Sequence, residues 1–394
     1  MKVPITRPYI GEEEKNAVAE VLDSGWLVQG IRVDEFEEMV GQYVGTKFAK
    51  ACTSCTTALH LALMALGIGK GDEVILPSFT YVASANAIEY TGATPMFVDI
   101  DLATFNMDVN KIEECIERSC GSVRVLMPVH LFGLCADMDV VMELATKYRL
   151  HVVEDAACAM GSLYKSQHAG TFGVGCFSYH ARKPITTGEG GMITTDDEQI
   201  AMKVQSLRDH GAAVSDLARH GKGGYVLPAF EVCGYNYRLT DIQGSIGVEQ
   251  MKKLPWILKR RAERAKRYDE ALRNIEWLKI PYVPHGYTHT YQSYVTLIRN
   301  PKSKKIDLNE VTNLNKFRNK IMAELEEKGI ATRQGTHAVH TLGYYKRKYG
   351  IKETDYPNSF IADRLSMTLP LYPQMTDDEQ EYVIEKIKDI KFHI

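Results

Sequence analysis

The stretch Cys176-Phe-Ser-Tyr-His-Ala-Arg-Lys183-Pro-Ile-Thr-Thr-Gly-Glu-Gly-Gly191 joins an apolar strand to a glycine-rich reversal, with one lysine between them. Proline after Lys183 pushes that residue out of the α region, and Gly188, Gly190 and Gly191 let the chain turn back at little steric cost. The result is an amine displayed on a loop. A solvated surface lysine is the plainer account of such a residue, so the flanking segments decide between the two.

Outward from this stretch, strands and helices alternate. Strand patterns occur at Glu73–Leu76, Pro95–Asp99, Val123–Pro128, His151–Glu154, Gly175–Tyr179 and Gly191–Thr195, with a short one at Phe48–Ala51. Apolar residues at helical spacing fill the gaps, at about Thr56–Leu66, Ala83–Tyr90, Val109–Arg118, Met138–Tyr148 and Asp197–Leu207. Two amphipathic helices, at about residues 12–23 and 33–43, precede them. This alternation predicts an α/β fold with a mainly parallel sheet flanked by helices, which binds ligands beyond the carboxyl ends of its strands. Near Pro255-Trp256 the character changes to a long charged helix and then to mixed strands and helices. The expected organisation is a large α/β domain over residues 1–251 and a smaller C-terminal α+β domain over 252–394, in keeping with a chain of 394 residues.

Composition narrows the function classes. With 45% hydrophobic and 25% charged residues and a net charge of -3, the composition argues against disorder and nothing calls for nucleic acid as a partner. The basic run Lys259–Arg267 contains Glu263 and good helix formers, and reads as a solvated helix face. The longest apolar stretch, Ala58 to Ile68, is too short to span a bilayer and carries His60. The amino terminus has no apolar secretion core, which leads to the expectation of a cytoplasmic protein whose eight cysteines are thiols. Cys52-Thr-Ser-Cys55 has the spacing of a redox motif, and a redox protein using Cys52 and Cys55 is one alternative reading. No second pair stands at zinc-site spacing, so no metal is expected.

Three motifs that follow strands surround Lys183. In Thr53-Ser54-Cys55-Thr56-Thr57-Ala58, hydroxyl residues lead straight into an apolar helix, where free N–H groups and the helix dipole suit a phosphate; a simple N-cap is the alternative. In Glu154-Asp155-Ala-Ala-Cys158, Asp155 ends a strand, either to keep a pyridine nitrogen protonated or as an N-cap. In Pro77-Ser-Phe-Thr-Tyr81, Tyr81 is a ring for stacking on a planar group or a core tyrosine. Phosphate donors, a ring, a carboxylate and a lysine, in chain order on one scaffold, match the needs of pyridoxal 5'-phosphate (PLP).

The chain resembles the DegT/DnrJ/EryC1/StrS family of PLP-dependent sugar aminotransferases, of the aspartate aminotransferase fold type. The matching segments span nearly the whole chain: Ser24–Gly30, Ala58–Leu63, Gly71–Tyr81, Pro128–Gly133, Glu154–Ala157, Phe177–Lys183, Thr187–Gly191 and Gly234–Asp241. The resemblance implies Lys183 as the Schiff-base lysine, Asp155 as the pyridinium partner and Tyr81 as the stacking ring. Ser54, Cys55, Thr56, Thr57 and Ser178 fall in the phosphate-binding segments, and Asn236 falls where the family reaches the phosphate of the neighbouring subunit. A homodimer with shared active sites is therefore implied. Two departures stand out: Cys55 replaces a frequent glycine, and Cys158 replaces a glutamine or histidine near the cofactor hydroxyl, where a thiol is the weaker hydrogen-bond partner. Lys183 argues against the dehydratases of the family, which carry histidine there.

The implied reaction moves an amino group from L-glutamate, leaving 2-oxoglutarate, to a keto-sugar, expected to be nucleotide-linked with the ketone at carbon 3 or 4. An aminocyclitol or keto-acid sugar is the competing acceptor, and a PLP-binding regulatory protein without turnover is the competing class. For the sugar or nucleotide the candidates are Trp26, Gln29, His180, Arg182, the stretch from 223 to Glu231, Arg333, His337 and His340.

Overall fold

The computed structural model describes residues 1–213, 229–303 and 305–392. Seven strands form one sheet in the order Phe48–Cys52, Gly191–Thr195, Val174–Ser178, His151–Asp155, Val123–Leu126, Glu73–Pro77, Thr94–Val98. Gly191–Thr195 runs antiparallel to both of its neighbours, and every other pairing is parallel. The mainly parallel α/β sheet expected from the alternation is thus present, with strand ends within about two residues of the predicted ones. Its central strands are apolar where they cross the core, as a sheet buried on both faces requires: Val74, Ile75, Leu76, Val125, Leu126, Val153 and Cys176 are all buried completely.

The parallel strands direct their carboxyl ends to one edge. Thr53, Ser78, Asp155 and Ser178 therefore emerge together. One contact fixes how closely the first of these approaches the lysine loop. Gly191 lies so near the turn after Phe48–Cys52 that a Cβ on it would stand 2.2 Å from the Ser54 carbonyl oxygen and 2.8 Å from the Cys55 nitrogen. Only glycine allows this approach.

Helices cover both faces. Cys55–Ala65 is apolar nearly all round and is buried between the sheet and the helices Ala83–Thr91 and Glu198–Arg208. Ile31–Val44 packs on the 32-residue helix Asp241–Leu272, whose Gly247 lies directly on the Phe36 ring. Residue 252 falls within this helix, and Pro255 sits inside it without ending it. One backbone hydrogen bond is lost at a proline, while packing along both halves of the helix holds it together. The basic run Lys259–Arg267 is a helix face as expected, but it is not solvated throughout. Arg261 and Arg264 are buried, with Arg261 Nη1 donating to the carbonyls of Tyr291 (3.0 Å) and Gln292 (3.3 Å) and Arg264 to Asp377 and Gln380. Periodicity alone does not reveal this, because the acceptors come from more distant parts of the chain.

The C-terminal part builds an antiparallel sheet of Leu278–Lys279, Tyr294–Ile298 and Ser366–Leu369, backed by the helices Val311–Glu327, Pro357–Leu365 and Asp377–Lys388. Val3 joins it from the far end of the chain, exchanging hydrogen bonds with Gly329 and Ala331 at 2.8 and 2.9 Å. A two-residue ladder, His337 to Thr80 and Ala338 to Phe79, ties this part to the strand ends of the large sheet. Gly191→Ala should lower the unfolding free energy by about 1–3 kcal/mol through backbone overpacking. Urea melts would show this as a lower midpoint with an unchanged slope.

Candidate functional site

The first turn of Cys55–Ala65 is built for an anion. Ser54 is its N-cap: its Oγ accepts from the Thr57 N–H at 3.2 Å while Thr57 Oγ1 accepts from the Ser54 N–H at 3.0 Å. This reciprocal box presents the hydroxyls of Ser54, Thr56 and Thr57 and the positive end of the helix at the carboxyl edge of the sheet. Ser178 ends the strand two places along the sheet, half-buried, its Oγ accepting from the His180 N–H at 3.4 Å. The N-cap reading of this segment holds, and the same geometry leaves a helix end suited to an anion.

Asp155 is 5% exposed and doubly held. Ser84 Oγ donates to Oδ2 at 2.6 Å and the Ala157 N–H donates to Oδ1 at 3.2 Å, while Thr80 Oγ1 lies 3.0 Å from Ser84 Oγ. Ser84 is the residue that sequence reasoning missed. It sits in the first turn of an ordinary helix, and no local signal marks it. Tyr81 is 65% exposed, so its ring is not core; it stands beside Thr80, which pairs with His337.

Lys183 is shaped by a tight reversal. Its N–H donates to the His180 carbonyl at 2.9 Å, and the loop is closed by Tyr179 N–H to Gly190 O at 2.8 Å and Ala181 N–H to Gly188 O at 3.1 Å, with Gly188 at a φ of 83°. Lys183 Nζ donates to Cys158 Sγ at 3.1 Å. Burial by itself would depress the ammonium, but Cys158, Cys55 and Asp155 outweigh it and hold the amine above the ordinary lysine range. Cys158 is half-buried, at the position expected near the cofactor.

The remaining predicted residues divide. Arg182 precedes the lysine, and the Gln292 side chain of the C-terminal part donates to its carbonyl at 2.9 Å. Arg333 exchanges backbone hydrogen bonds with Thr368, which lines one cleft together with Arg182. His180 Nε2 lies 3.7 Å from Glu189 Oε1, with the His180 side chain half-buried and that of Glu189 exposed. His337 is exposed beside Tyr81, and Asn236 and Glu231 are exposed as well. Asn236 is flanked by Tyr237, whose carbonyl accepts from the Thr53 N–H at 3.0 Å. Residues 223–228 of the candidate stretch ending at Glu231 lie outside the described residues.

Trp26 and Gln29 occupy a loop fixed from outside by Asp241, whose carboxylate accepts from the N–H groups of Gly30 (2.8 Å) and Val33 (3.1 Å). Gln29 faces a cavity of about 570 Å³ bordered by Glu37, Lys50, Arg208 and Arg238, which does not include Lys183. His340 is a correction. It is completely buried, hydrogen-bonded through Nδ1 to Ser78 Oγ and through Nε2 to the Glu353 carbonyl at 3.1 Å, and serves packing between the two parts of the chain.

The redox reading of Cys52 and Cys55 fails on burial. Both thiols are free and buried; burial pushes Cys52 up to about 11 and Cys55 well above its ordinary value, so neither supplies the thiolate that exchange requires. The donor set does fit pyridoxal phosphate: helix N-terminus and hydroxyls for a phosphate, the held carboxylate of Asp155 for a pyridine nitrogen, an exposed ring at Tyr81 and the Lys183 amine for an aldehyde.

The model of the DegT/DnrJ/EryC1/StrS aminotransferase family matches residues 8–388. The chain belongs to that family. Among curated relatives, the spore coat polysaccharide biosynthesis protein SpsC of Bacillus subtilis is 39% identical over 98% of this chain and 97% of its own length. An uncharacterized protein of Methanocaldococcus jannaschii is 40% identical over the same shares. Among solved structures, the putative sugar aminotransferase Spr1654 from Streptococcus pneumoniae in its PMP form superposes with a TM-score of 0.89 at 32% identity, covering 98% of both chains. Helicobacter pylori PseC, an aminotransferase involved in the biosynthesis of pseudoaminic acid, gives 0.87 at 25% identity, again over 98% of both. This DegT-family aminotransferase is a PLP-dependent enzyme of the sugar aminotransferase group, with the fold expected from its sequence.

Two measurements check the site. Ser84→Ala should leave Asp155 with one donor fewer and weaken pyridoxal phosphate binding roughly 5- to 20-fold, read by equilibrium dialysis. Burial lowers the His340 pKa in the folded protein, so the unfolded chain binds this proton first. Stability contributed by neutral His340 is complete above its unfolded value of about 6.5 and is lost as pH falls from there toward the lower folded value. His340→Gln should flatten that part of the stability-pH curve measured by urea unfolding.

Proposed function

We propose that this aminotransferase takes the amino group of L-glutamate and delivers it to a nucleotide-linked keto-sugar, with the ketone at carbon 3 or 4, in the synthesis of an aminosugar for a surface polysaccharide. The observation that carries the reading is the Lys183 amine, within one hydrogen bond of Cys158 on the loop that follows the strand ending at Ser178, with its ammonium favoured by Cys158, Cys55 and Asp155. The names of SpsC and PseC, a polysaccharide protein and a pseudoaminic acid enzyme, support the acceptor class. The enzyme is proposed to act in the cytoplasm as a homodimer in which Asn236 of one protomer completes the phosphate site of its partner. The exposure of Asn236 in the single chain is consistent with that.

Bound pyridoxal phosphate supplies the electron sink and the carrier of the amino group. The residues do the rest. Ser54, Thr56, Thr57 and Ser178 hold the phosphate with the helix N-terminus. Asp155, oriented by Ser84 and the Ala157 N–H, would hold the ring nitrogen protonated. Tyr81, with its exposed ring, would stack on the cofactor. Lys183 Nζ, once released by the incoming amine, takes the proton from the donor α-carbon, and in the second half-reaction returns a proton to the carbon that bore the ketone.

Lys183→Ala should abolish both transamination and the absorbance of lysine-bound cofactor; normal turnover in that variant removes the assignment. The acceptor is tested by offering nucleotide-linked 3-keto and 4-keto sugars to the pyridoxamine-loaded protein and recording which restores that absorbance. Restoration by a cyclitol ketone alone would exclude the nucleotide sugar.

A further inference from the structure

Two reactive side chains of the site touch each other, and separate parts of the backbone hold them there. Lys183 Nζ donates to Cys158 Sγ at 3.1 Å. The cysteine stands in the turn that follows Asp155. In that turn the Ala159 N–H donates to the Ala156 carbonyl at 2.9 Å and the Ala157 N–H to Asp155 Oδ1 at 3.2 Å, while the Cys158 carbonyl accepts from Thr290 Oγ1 at 3.4 Å. The lysine is pinned through its N–H to the His180 carbonyl at 2.9 Å, inside a reversal closed at Gly188 and Gly190. Neither backbone has to move for sulfur and nitrogen to meet.

The other cysteines do not share this arrangement. Cys52, Cys55 and Cys176 lie in the same region but are buried, and Cys55 Sγ is turned to the Cys176 carbonyl at 3.4 Å. Cys120 and Cys233 are exposed. Among the described residues, Cys158 is the cysteine hydrogen-bonded to an amine, and both it and Lys183 are half-buried, so a small solute reaches the sulfur. A peroxide converts such a sulfur to a sulfenic acid, whose sulfur is electrophilic and condenses with a nucleophile beside it. A partner fixed at contact distance acts as if present at very high concentration. The neighbour here is the nitrogen of Lys183.

We propose that Cys158 and Lys183 are a modification site, joined by a thiol-reversible sulfur–nitrogen bond when the protein meets hydrogen peroxide while the lysine carries no cofactor. In the first step the Cys158 thiol attacks the peroxide. An S–O bond forms, the O–O bond breaks and water leaves, the sulfur giving up the two electrons that reduce the peroxide. In the second step the Lys183 nitrogen attacks that sulfur. The S–N bond forms as the S–O bond breaks, the departing hydroxide leaves as water with one proton from the ammonium, and a second proton passes to solvent. Two molecules of an external thiol reverse the link, restoring the Cys158 thiol and the Lys183 amine and leaving a disulfide. The link withholds the amine on which the proposed reaction depends, and cofactor attached to Lys183 prevents it. Only this protection rests on Lys183 as the cofactor lysine; the link itself rests on the contact between the two side chains.

The test uses the full chain loaded with pyridoxamine phosphate and, separately, with pyridoxal phosphate. Each form is exposed to hydrogen peroxide, quenched and mapped by peptide mass spectrometry before and after dithiothreitol. In the pyridoxamine form the peptides bearing Cys158 and Lys183 should appear joined, with the loss of two hydrogens, and dithiothreitol should separate them. The pyridoxal form should give at least about 10-fold less of this product, because its lysine nitrogen is occupied. After removal of pyridoxamine phosphate, linked protein should fail to develop the absorbance of lysine-bound cofactor on adding pyridoxal phosphate, and should regain it once reduced. Cys158→Ser should give no link, whereas a Cys120→Ser, Cys233→Ser double variant should link as wild type does. Should Cys158→Ser not load cofactor, mapping of the wild type and the double variant decides. Cys158 recovered as a sulfinic acid, or in a disulfide with Cys55, with Lys183 free overturns the inference, as do joined peptides that retain the oxygen atom. Equal linking in the two loaded forms would keep the link and remove Lys183 from the cofactor, so the two readings fail separately.

Discussion

A single buried carboxylate underlies the geometry of this site. Glu154 is fully buried at the end of the strand His151–Asp155 and accepts the N–H groups of Gly170 (2.7 Å), Phe172 (2.8 Å) and Gly173 (3.0 Å), together with His130 Nε2 at 2.9 Å. The Ala136 N–H donates to His130 Nδ1 at 3.1 Å, so the ring proton is on Nε2 and points at Glu154. A buried carboxylate deprived of such donors costs several kcal/mol. The chain satisfies it by bringing the turn at 170–173 against the strand that carries Asp155, and that turn leads into Val174–Ser178 and the lysine loop. Asp155 and Lys183 are thus delivered to the same edge by one electrostatic requirement one residue away from the chemistry.

The same economy governs the cofactor contacts. A parallel sheet collects its carboxyl ends on one side, which places Thr53, Asp155 and Ser178 together without any contact between their side chains being needed. The close contact of Gly191 with Ser54 then draws the antiparallel strand against the anion-binding turn. What the sheet does not supply comes from the C-terminal part, through the ladder of His337 and Ala338 on Phe79 and Thr80 and through Gln292 on the Arg182 carbonyl. The site therefore lies at a seam.

Legibility in the sequence followed the range of the interactions. The strand and helix segments of the large sheet were readable because burial on both faces imposes continuous apolar strands and short connections. The lysine loop, the Ser54 cap and the strand-end Asp155 were readable because each is a local backbone arrangement with its own residue signature. Ser84 was not, since its only mark is a 2.6 Å bond to a carboxylate 71 positions away. His340 looked like a substrate ligand because an isolated histidine shows no partner, and its partner Ser78 is 262 positions distant. The cysteine pair looked like a redox motif until burial withheld the thiolates.

By itself, then, the sequence determined the architecture and singled out the amine and the groups proposed for the cofactor, because periodicity, glycine placement and capping act within a few residues of the chain. Tertiary structure alone decided which charges are satisfied and which are left over. Arg261 and Arg182 read alike in the sequence as basic residues, and only folding gives the first its carbonyl acceptors and leaves the second half-buried, with Gln292 donating to its backbone carbonyl. The reason is that hydrogen-bond satisfaction and desolvation are properties of the surroundings, and these surroundings are assembled from segments more than 100 residues apart.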